Sequence, residues 1–366
     1  MATLTQASKQ WQSRPADERF VSLLDLQSHV TAMRENCRAT VVSSRSITTE
    51  PTEDNKGLVL QGQHHDGRAL DGYALSHFSF GQVAQLAGSP AGYLRTLPSP
   101  LAADCVNYGL QYVRDIEDVG LLLYKNGGDP ILRAATGPRY GRIWNADIVN
   151  GLVNRFGDGL TGDFRIPGEF GRQVAIDKGN TTLYAGDRDM FVFLADEEHR
   201  IEVPGRRDGK TGSLARGFFM WNSEVGSATF GIGTFLYDYV CCNRMVWGAD
   251  QYKEITIRHS AGAPDRFIEE VGPALESYAN SSTVTIEQAI TDARKSRIDN
   301  VDEFLAKRFS RRIAKAIEVA HVEDEGRPIE TLWDAATGVT GYARGITYQD
   351  QRVAMEREAG AILDMA

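Results

Sequence analysis

The sequence predicts an α+β protein with a central, mostly antiparallel sheet, an N-terminal helical layer and a C-terminal helical annex. Short runs of β-branched and aromatic residues are concentrated in the middle of the chain, whereas apolar residues recur at helical spacing beyond residue 261. The chain has 366 residues, 42% of them hydrophobic, which is enough for one large or two ordinary domains. We therefore predict three regions, at residues 1–118, 119–260 and 261–366.

The N-terminal region is predicted to begin with one amphipathic helix. Between residues 18 and 38, apolar residues recur close to the 3.6-residue helical period. Short strands are predicted at residues 40–49 and 58–61, around a turn that contains proline and glycine. Two serine–proline steps within residues 78–113 are typical of helix starts, so this stretch is predicted to form three short helices.

The middle region carries most of the predicted strands. Its runs of β-branched and aromatic residues are interrupted by one amphipathic helix at residues 146–156. Helical periodicity returns after residue 261 and continues to the end of the sequence. The predicted strands are 120–124, 181–184, 190–194, 200–203, 217–221 and 252–258, and the predicted C-terminal helices are 265–278, 285–295, 301–320, 328–343 and 349–363.

The net charge of the chain limits how strongly it can bind nucleic acid. Forty Lys and Arg against 49 Asp and Glu leave a net charge of −9, so no overall positive field attracts DNA or an anionic membrane. Between residues 119 and 217, however, 14 Lys and Arg face 13 Asp and Glu, so the acidity lies outside this stretch. Any DNA contact is therefore expected to be local, modest and sensitive to salt.

Several other classes of protein are not expected. No apolar run approaches the roughly 20 residues of a membrane span, and the polar start resembles no signal peptide, so a cytoplasmic protein is expected. Four cysteines predict reduced thiols rather than a disulfide framework. The glycine motif at residues 157–162 follows a helix, and the loop at 205–211 is one residue short of a phosphate-binding loop. His64, His65 and Asp66 lack a second ligand pair, so neither a cofactor nor a metal is expected.

Residues 83–95 resemble a helix-turn-helix, with an Ala-Gly turn between two short helices. Gly92 would weaken the second helix, which carries little positive charge beyond Arg95. A plain helical hairpin packed on the sheet is therefore favoured over a DNA-reading motif.

Two basic loops in the middle region are the strongest functional signal. Residues 133–142 contain three arginines and a tyrosine without any acid, and residues 206–216 add a second surplus of positive charge. Basic grooves with exposed aromatic residues are typical of single-stranded nucleic-acid binding, although solvated loops have the same composition. The candidate nucleic-acid-binding residues are Arg133, Arg139, Tyr140, Arg142, Arg206, Arg207 and Lys210.

A third basic segment and one possible catalytic group are weaker candidates. Helical spacing would place Arg308, Arg311, Arg312 and Lys315 on one helix face, either against phosphates or in solvent. Cys241 or Cys242 with His259 is the one conceivable nucleophile and base, but buried structural cysteine is the commoner role. No catalytic residues are therefore assigned, and the chain is not expected to be an enzyme.

Several short motifs resemble one known family. The more specific are Asn222-Ser223-Glu224-Val225-Gly226 and the stretch of residues 240–245; Tyr93-Leu94, Arg139-Tyr140, Arg258-His259 and residues 338–343 accompany them. Together they resemble the phage and plasmid family catalogued as domain of unknown function 932, from about the first helix into the C-terminal helices. Arg244 stands where that family usually has glycine. The resemblance implies a mobile-element origin among DNA-metabolism genes and no established activity.

The leading hypothesis is a non-enzymatic phage or plasmid DNA-metabolism factor that binds single-stranded DNA in the host bacterial cytoplasm. It would act as a homo-oligomer in the manner of strand-annealing proteins, with the six basic candidates on phosphates and Tyr140 on a base. The alternative is a host-directed protein-binding or inhibitory factor, which would use the acidic surface and the helical annex without touching nucleic acid.

Overall fold

The computed structural model describes residues 14–113, 115–166, 175–179, 181–238, 243–245, 254–346 and 349–366. Helices and mostly antiparallel strands make up this part of the chain, so the α+β prediction is confirmed. The strands in chain order are β1 (Arg19–Phe20), β2 (Cys37–Ser43), β3 (Ile47–Pro51), β4 (Leu58–Gln63), β5 (Ala69–Leu75), β6 (Asp118–Tyr124), β7 (Ile131–Thr136), β8 (Phe164–Arg165), β9 (Leu183–Ala185), β10 (Met190–Asp196), β11 (Ile201–Val203), β12 (Gly212–Asn222), β13 (Phe230–Asp238), β14 (Asn243–Met245) and β15 (Ile255–Ile257).

The helices surround two sheets. Short π-helical turns at Gly109–Val113 and Phe267–Val271 extend two of them. The α-helices are α1 (Leu23–Glu35), α2 (His77–Leu86), α3 (Ala91–Leu94), α4 (Ser99–Tyr108), α5 (Asn145–Phe156), α6 (Ala263–Arg266), α7 (Gly272–Ala279), α8 (Val284–Lys295), α9 (Val301–Ala306), α10 (Arg311–Glu325), α11 (Leu332–Arg344) and α12 (Gln349–Leu363).

The larger sheet has the order β1-β9-β10-β12-β13-β14, and β8, β11 and β15 pair with its inner strands. Every residue of β10 is buried, because both faces of the sheet are covered. Met190, Val192 and Leu194 face a core shared with α1, α5 and α7. Phe191 and Phe193 face an aromatic cluster on the opposite side. The period-2 alternation of a strand thus divides one apolar run between two cores.

The smaller sheet has the order β2-β6-β7-β5-β4-β3. Its pairings are antiparallel except for β5 with β7, which are parallel. One face packs on α2 and α4, and the other face receives Val225 from the turn between β12 and β13 of the larger sheet. This turn therefore lies at the junction of the two sheets, which makes it the centre of the candidate site.

The C-terminal annex packs on the other end of the larger sheet. Ile201, Leu214 and Leu236 share a core with α8 to α12, in which Trp333 is almost fully buried. Helix α11 begins with a capping box in which the Thr331 side chain accepts from the Asp334 backbone N–H. No helix of the described residues is long and apolar enough to cross a membrane.

The structure differs from the sequence-based assignment in several places, and strand β5 is one element that was not predicted. Strand β6 pairs with β2 in the smaller sheet, so that sheet takes strands from both sides of residue 118. Strands β7 and β13 were not predicted as strands, although residues 131–136 and 230–238 form them. The predicted helix at 301–320 is two helices, because Ser310 caps α10 and ends the preceding turn.

Candidate nucleic-acid interface

The turn of residues 222–226 is buried between the two sheets. Asn222, Ser223 and Glu224 are each at most 3% exposed. The Ser223 hydroxyl donates to the Arg188 carbonyl at 2.6 Å and accepts from the Ser227 backbone N–H at 3.0 Å. Gly226 has φ +89°, a left-handed conformation in which glycine is strongly favoured. The turn is therefore fixed by its own hydrogen bonds before any ligand is considered.

The Glu224 carboxylate joins both sheets. Its Oε2 accepts from Arg133 Nη1 at 2.9 Å, and its Oε1 accepts from the backbone N–H of Asn145 at 2.9 Å, at the start of α5. Arg133 Nη1 also lies 3.3 Å from Cys37 Sγ. The Glu224 carbonyl accepts from Arg142 Nε at 2.7 Å. One side chain thus connects β7, β12 and α5.

The protonation states around Glu224 follow from burial and pairing. Burial alone would lower the pKa of Arg133, but Glu224 and Cys37 together outweigh it and raise that pKa above its usual value. Burial raises the pKa of the Cys37 thiol, despite the opposing charge of Arg133, so this thiol stays protonated at neutral pH. Arg133 therefore stays charged in its buried salt bridge with Glu224, next to a protonated cysteine.

Tyr140 and His259 form a second layer beside this pair. The Tyr140 hydroxyl donates to the Ser223 carbonyl at 2.8 Å, and its ring stacks on His259 with centroids 4.8 Å apart. His259 Nδ1 lies 3.0 Å from the Gly141 carbonyl, which can only accept, so Nδ1 carries the proton. Burial lowers the pKa of His259 to about 4, with Arg142 acting in the same direction. His259 is therefore neutral at pH 7.

These contacts correct part of the predicted site. Arg133 is 6% exposed and paired with Glu224, so it stabilises the contact between the two sheets and is not available to a phosphate. Tyr140 is half-buried, with its hydroxyl bonded and its ring stacked on His259, so it is not presented to a base. Arg142 is half-buried and bonded to the Glu224 carbonyl. Arg139 is the one exposed member of this loop's candidates.

The second basic loop also contains one buried, paired arginine and two exposed cations. Arg206 is 3% exposed and donates to both Asp238, at 2.8 Å, and Glu325. Burial opposes the charge, but the two carboxylates raise the pKa of Arg206 above its usual value. Arg206 therefore fastens α10 to the larger sheet and is not a phosphate contact. Arg207 and Lys210 are exposed, although Arg207 also donates to the Glu323 carbonyl.

The two loops lie at opposite ends of β12. Residues 204–211 form the hairpin loop before its first residue, Gly212, and the 137–144 loop contacts the turn after its last residue, Asn222. Ten steps of about 3.3 Å separate these ends by roughly 33 Å. The structure therefore does not bring all seven predicted residues together, and one compact basic groove is not formed.

Cations and aromatic rings do meet around the first loop. The guanidinium of Arg142 lies 5.6 Å from the Trp144 ring centroid, and that of Arg34 lies 5.4 Å from the same centroid. Arg258 is exposed and directly precedes His259. Sequence reasoning missed Trp144 and Arg258, although Trp144 follows Arg142 by two residues and that spacing was a usable signal. We call Arg139, Arg142, Trp144 and Arg258 the junction surface.

The remaining candidates contribute little to this interface. Ser310 separates Arg308 from Arg311 and Arg312, so the basic strip does not lie on one helix face. Helix α3 has four residues, which is too short for a recognition helix, and Arg95 lies over Phe80 of α2. Cys241 and Cys242 lie outside the described residues. Within the described ranges, no group of three potential ligands could hold a metal ion.

The comparisons with known proteins give no match. Neither the protein-family models, nor the curated proteins, nor the solved structures contain a significant relative of this chain. The resemblance to domain of unknown function 932 therefore stays an expectation from the motifs. Arg244, where that family usually has glycine, lies within strand β14.

Removing the charge of Glu224 is expected to destabilise the whole fold. Glu224→Gln leaves the buried Arg133 guanidinium without its counter-charge, and such a loss costs about 3–5 kcal/mol. Urea unfolding followed by circular dichroism measures the change. Glu270→Gln, which breaks an exposed Arg266–Glu270 pair, is the matched control and should have little effect. Equal effects of the two substitutions would contradict a structural role for the buried pair.

The low pKa of His259 is expected to make stability depend on pH. Because the folded pKa of about 4 lies below the unfolded value of 6.5, the unfolded state binds more protons between these values. Stability should therefore fall as pH drops from about 6.5 towards 4, and the slope should be smaller in His259→Phe. An NMR titration of the His259 ring checks this directly, and a midpoint at or above pH 6 would contradict it.

Proposed function

We propose that this chain is a non-enzymatic DNA-metabolism factor of a phage or plasmid that binds single-stranded DNA through the junction surface. The observation that carries the proposal is the exposed Arg139 beside an aromatic and arginine cluster, in a loop that contains no acid. Bases stack on aromatic faces and on arginine planes, while phosphates pair with exposed cations. The phage or plasmid origin follows from the motif resemblance.

The roles of the residues follow from their exposure. Arg139 and Arg258 are exposed and would pair with phosphates. Trp144 is half-buried, with the guanidinium groups of Arg34 and Arg142 at 5.4 and 5.6 Å from its ring centroid, and its uncovered part would be the stacking surface. The buried Arg133–Glu224 pair would hold the loop in place without touching DNA. This assignment moves the base contact from Tyr140 to Trp144.

The second basic loop adds a separate, smaller contact. Arg207 and Lys210 lie at the far end of β12, roughly 33 Å away, so one strand would have to run along the length of β12 to reach both ends. A homo-oligomer would place several such ends along one strand. We include a role in strand annealing in this proposal.

We expect weak, salt-sensitive binding of a labelled thymidine oligonucleotide, measured by fluorescence anisotropy at low ionic strength. Arg139→Gln with Arg258→Gln should weaken binding and reduce the slope of log K against log salt by about 1.4, since each phosphate contact contributes about 0.7 on single strands. Lys295→Gln with Arg68→Gln removes equal charge from exposed positions elsewhere and is the control. No binding by the unmodified protein, or equal losses in both double variants, would overturn the proposal.

A protein-binding function is a second candidate, because the chain exposes an apolar surface. Tyr108 and Tyr112 are 62% and 75% exposed, and their rings lie 5.3 Å apart. Leu101 and Ile116 are exposed on the same segment, next to acidic side chains. Exposed apolar groups with a charged surround are typical of protein contacts. This surface lies on the N-terminal helices, not on the helical annex.

For this candidate, Tyr108→Ser with Tyr112→Ser should abolish capture of a host protein from nuclease-treated lysate. Truncating exposed tyrosines at the centre of an interface commonly weakens binding at least tenfold. Tyr93→Ser is the matched control, because Tyr93 is 61% exposed on α3, away from the tyrosine pair. A partner retained equally by all three proteins would exclude this surface as the contact.

A further inference from the structure

A cavity in the N-terminal region is not used by the proposed DNA contact. It has a volume of about 290 Å³ and lies between the smaller sheet and helices α2, α3 and α4. Small-molecule sites begin near 300 Å³, so the cavity is large enough for a compact ligand. Its lining divides into an apolar floor and a polar, cationic rim.

The floor is built from core side chains that the fold already holds in place. Leu58, Leu94 and Ala102 are each less than 5% exposed, and Leu75 and Leu97 are half-buried beside them. Because these residues belong to the packed core of the smaller sheet, the floor is preformed and does not require a rearrangement to bind. It would accept an apolar or aromatic group.

The rim carries positive charge. Lys56 and Arg95 are exposed and line the cavity together with His77, and no acidic side chain lines it among the described residues. Lys56 has one exposed acidic neighbour, Asp54, at 3.8 Å, which is a weak pairing. The first residues of α2 and α4 are also at the rim, so the positive ends of two ten-residue helices add to the field.

Arg95 is held ready for an anion. Its Nη2 donates to the His77 carbonyl at 2.8 Å, and its guanidinium lies 5.0 Å from the Phe80 ring centroid. A guanidinium has five N–H donors, and this bond uses one of them. The hydrogen bond and the contact with the Phe80 ring restrict this side chain, so less side-chain entropy is lost when it pairs with a carboxylate or phosphate.

From this division we infer that the cavity binds a small amphiphilic anion, with its carboxylate or phosphate on Lys56 and Arg95 and its apolar body against Leu58, Leu94 and Ala102. An anion without an apolar body would leave the floor empty, and an uncharged ligand would leave the rim cations unpaired. The inference does not rest on DNA binding, since the cavity shares no residue with the junction surface.

Isothermal titration calorimetry with phenyl phosphate and phenylacetate tests the inference on the full chain. At least one of them should bind at least tenfold more tightly than both inorganic phosphate and benzyl alcohol. Tighter binding of phenyl phosphate identifies the phosphate class, and tighter binding of phenylacetate identifies the carboxylate class. If neither probe binds in the millimolar range, or if benzyl alcohol binds equally well, the inference is wrong.

Substitutions locate the binding. Lys56→Gln with Arg95→Gln should weaken the better probe at least tenfold, whereas Arg68→Gln with Lys295→Gln, an equal change of exposed charge elsewhere, should leave its affinity unchanged. Leu97→Ala should weaken the aromatic probes while leaving inorganic phosphate unaffected. Unchanged melting temperatures establish that the variants are folded. Equal affinities of the two double variants would overturn the assignment of the anion to this cavity.

Discussion

The buried ion pair between Arg133 and Glu224 is the constraint on which the junction of the two sheets depends. Both charges are almost fully removed from water, so each requires the other, together with hydrogen bonds that satisfy its remaining atoms. Glu224 meets this requirement through the Asn145 backbone N–H, and its own carbonyl receives Arg142. Strand β7, the 137–144 loop and helix α5 are thereby held against the turn after β12. The position of the exposed Arg139 therefore depends on the buried Arg133–Glu224 pair.

A buried arginine paired with carboxylates recurs at two other places where helices meet the larger sheet. Arg206 holds Asp238 of β13 and Glu325 of α10, with Trp333 close to its guanidinium. Arg216 pairs with Asp196 and donates to carbonyls at the end of α7. A guanidinium suits this role because its planar set of donors satisfies several oxygens at once. In this chain, arginines connect helices to the sheets as well as lying on the surface. A basic loop therefore cannot be interpreted as a binding surface from its composition alone.

The sequence was sufficient for the fold class and for most elements, but not for the state of the arginines. Helix α5 begins one residue from its predicted start, because its apolar face is encoded locally. Strand β13 was missed, since its glycines interrupt the apolar run; Gly231 is needed there because a Cβ would lie 1.9 Å from the Trp221 ring. Arg133 and Arg206 could not be distinguished from Arg139 and Lys210, because their carboxylate partners lie 91 and 119 residues away in sequence. The local sequence shows which residues are charged, but whether these residues are buried depends on the tertiary structure.

Burial of these arginines also limits the strength of any nucleic-acid contact. Once Arg133 and Arg206 are committed to carboxylates, the positive charge that the two basic loops offer to phosphates falls to a few exposed side chains at the two ends of β12. The chain as a whole carries −9, so no long-range field compensates for this loss. For the proposed DNA contact, a chain with so few available cations would gain useful affinity by repetition, because linked weak contacts multiply their binding constants. The proposed DNA binding and the proposed assembly along the strand therefore rest on the same physical argument.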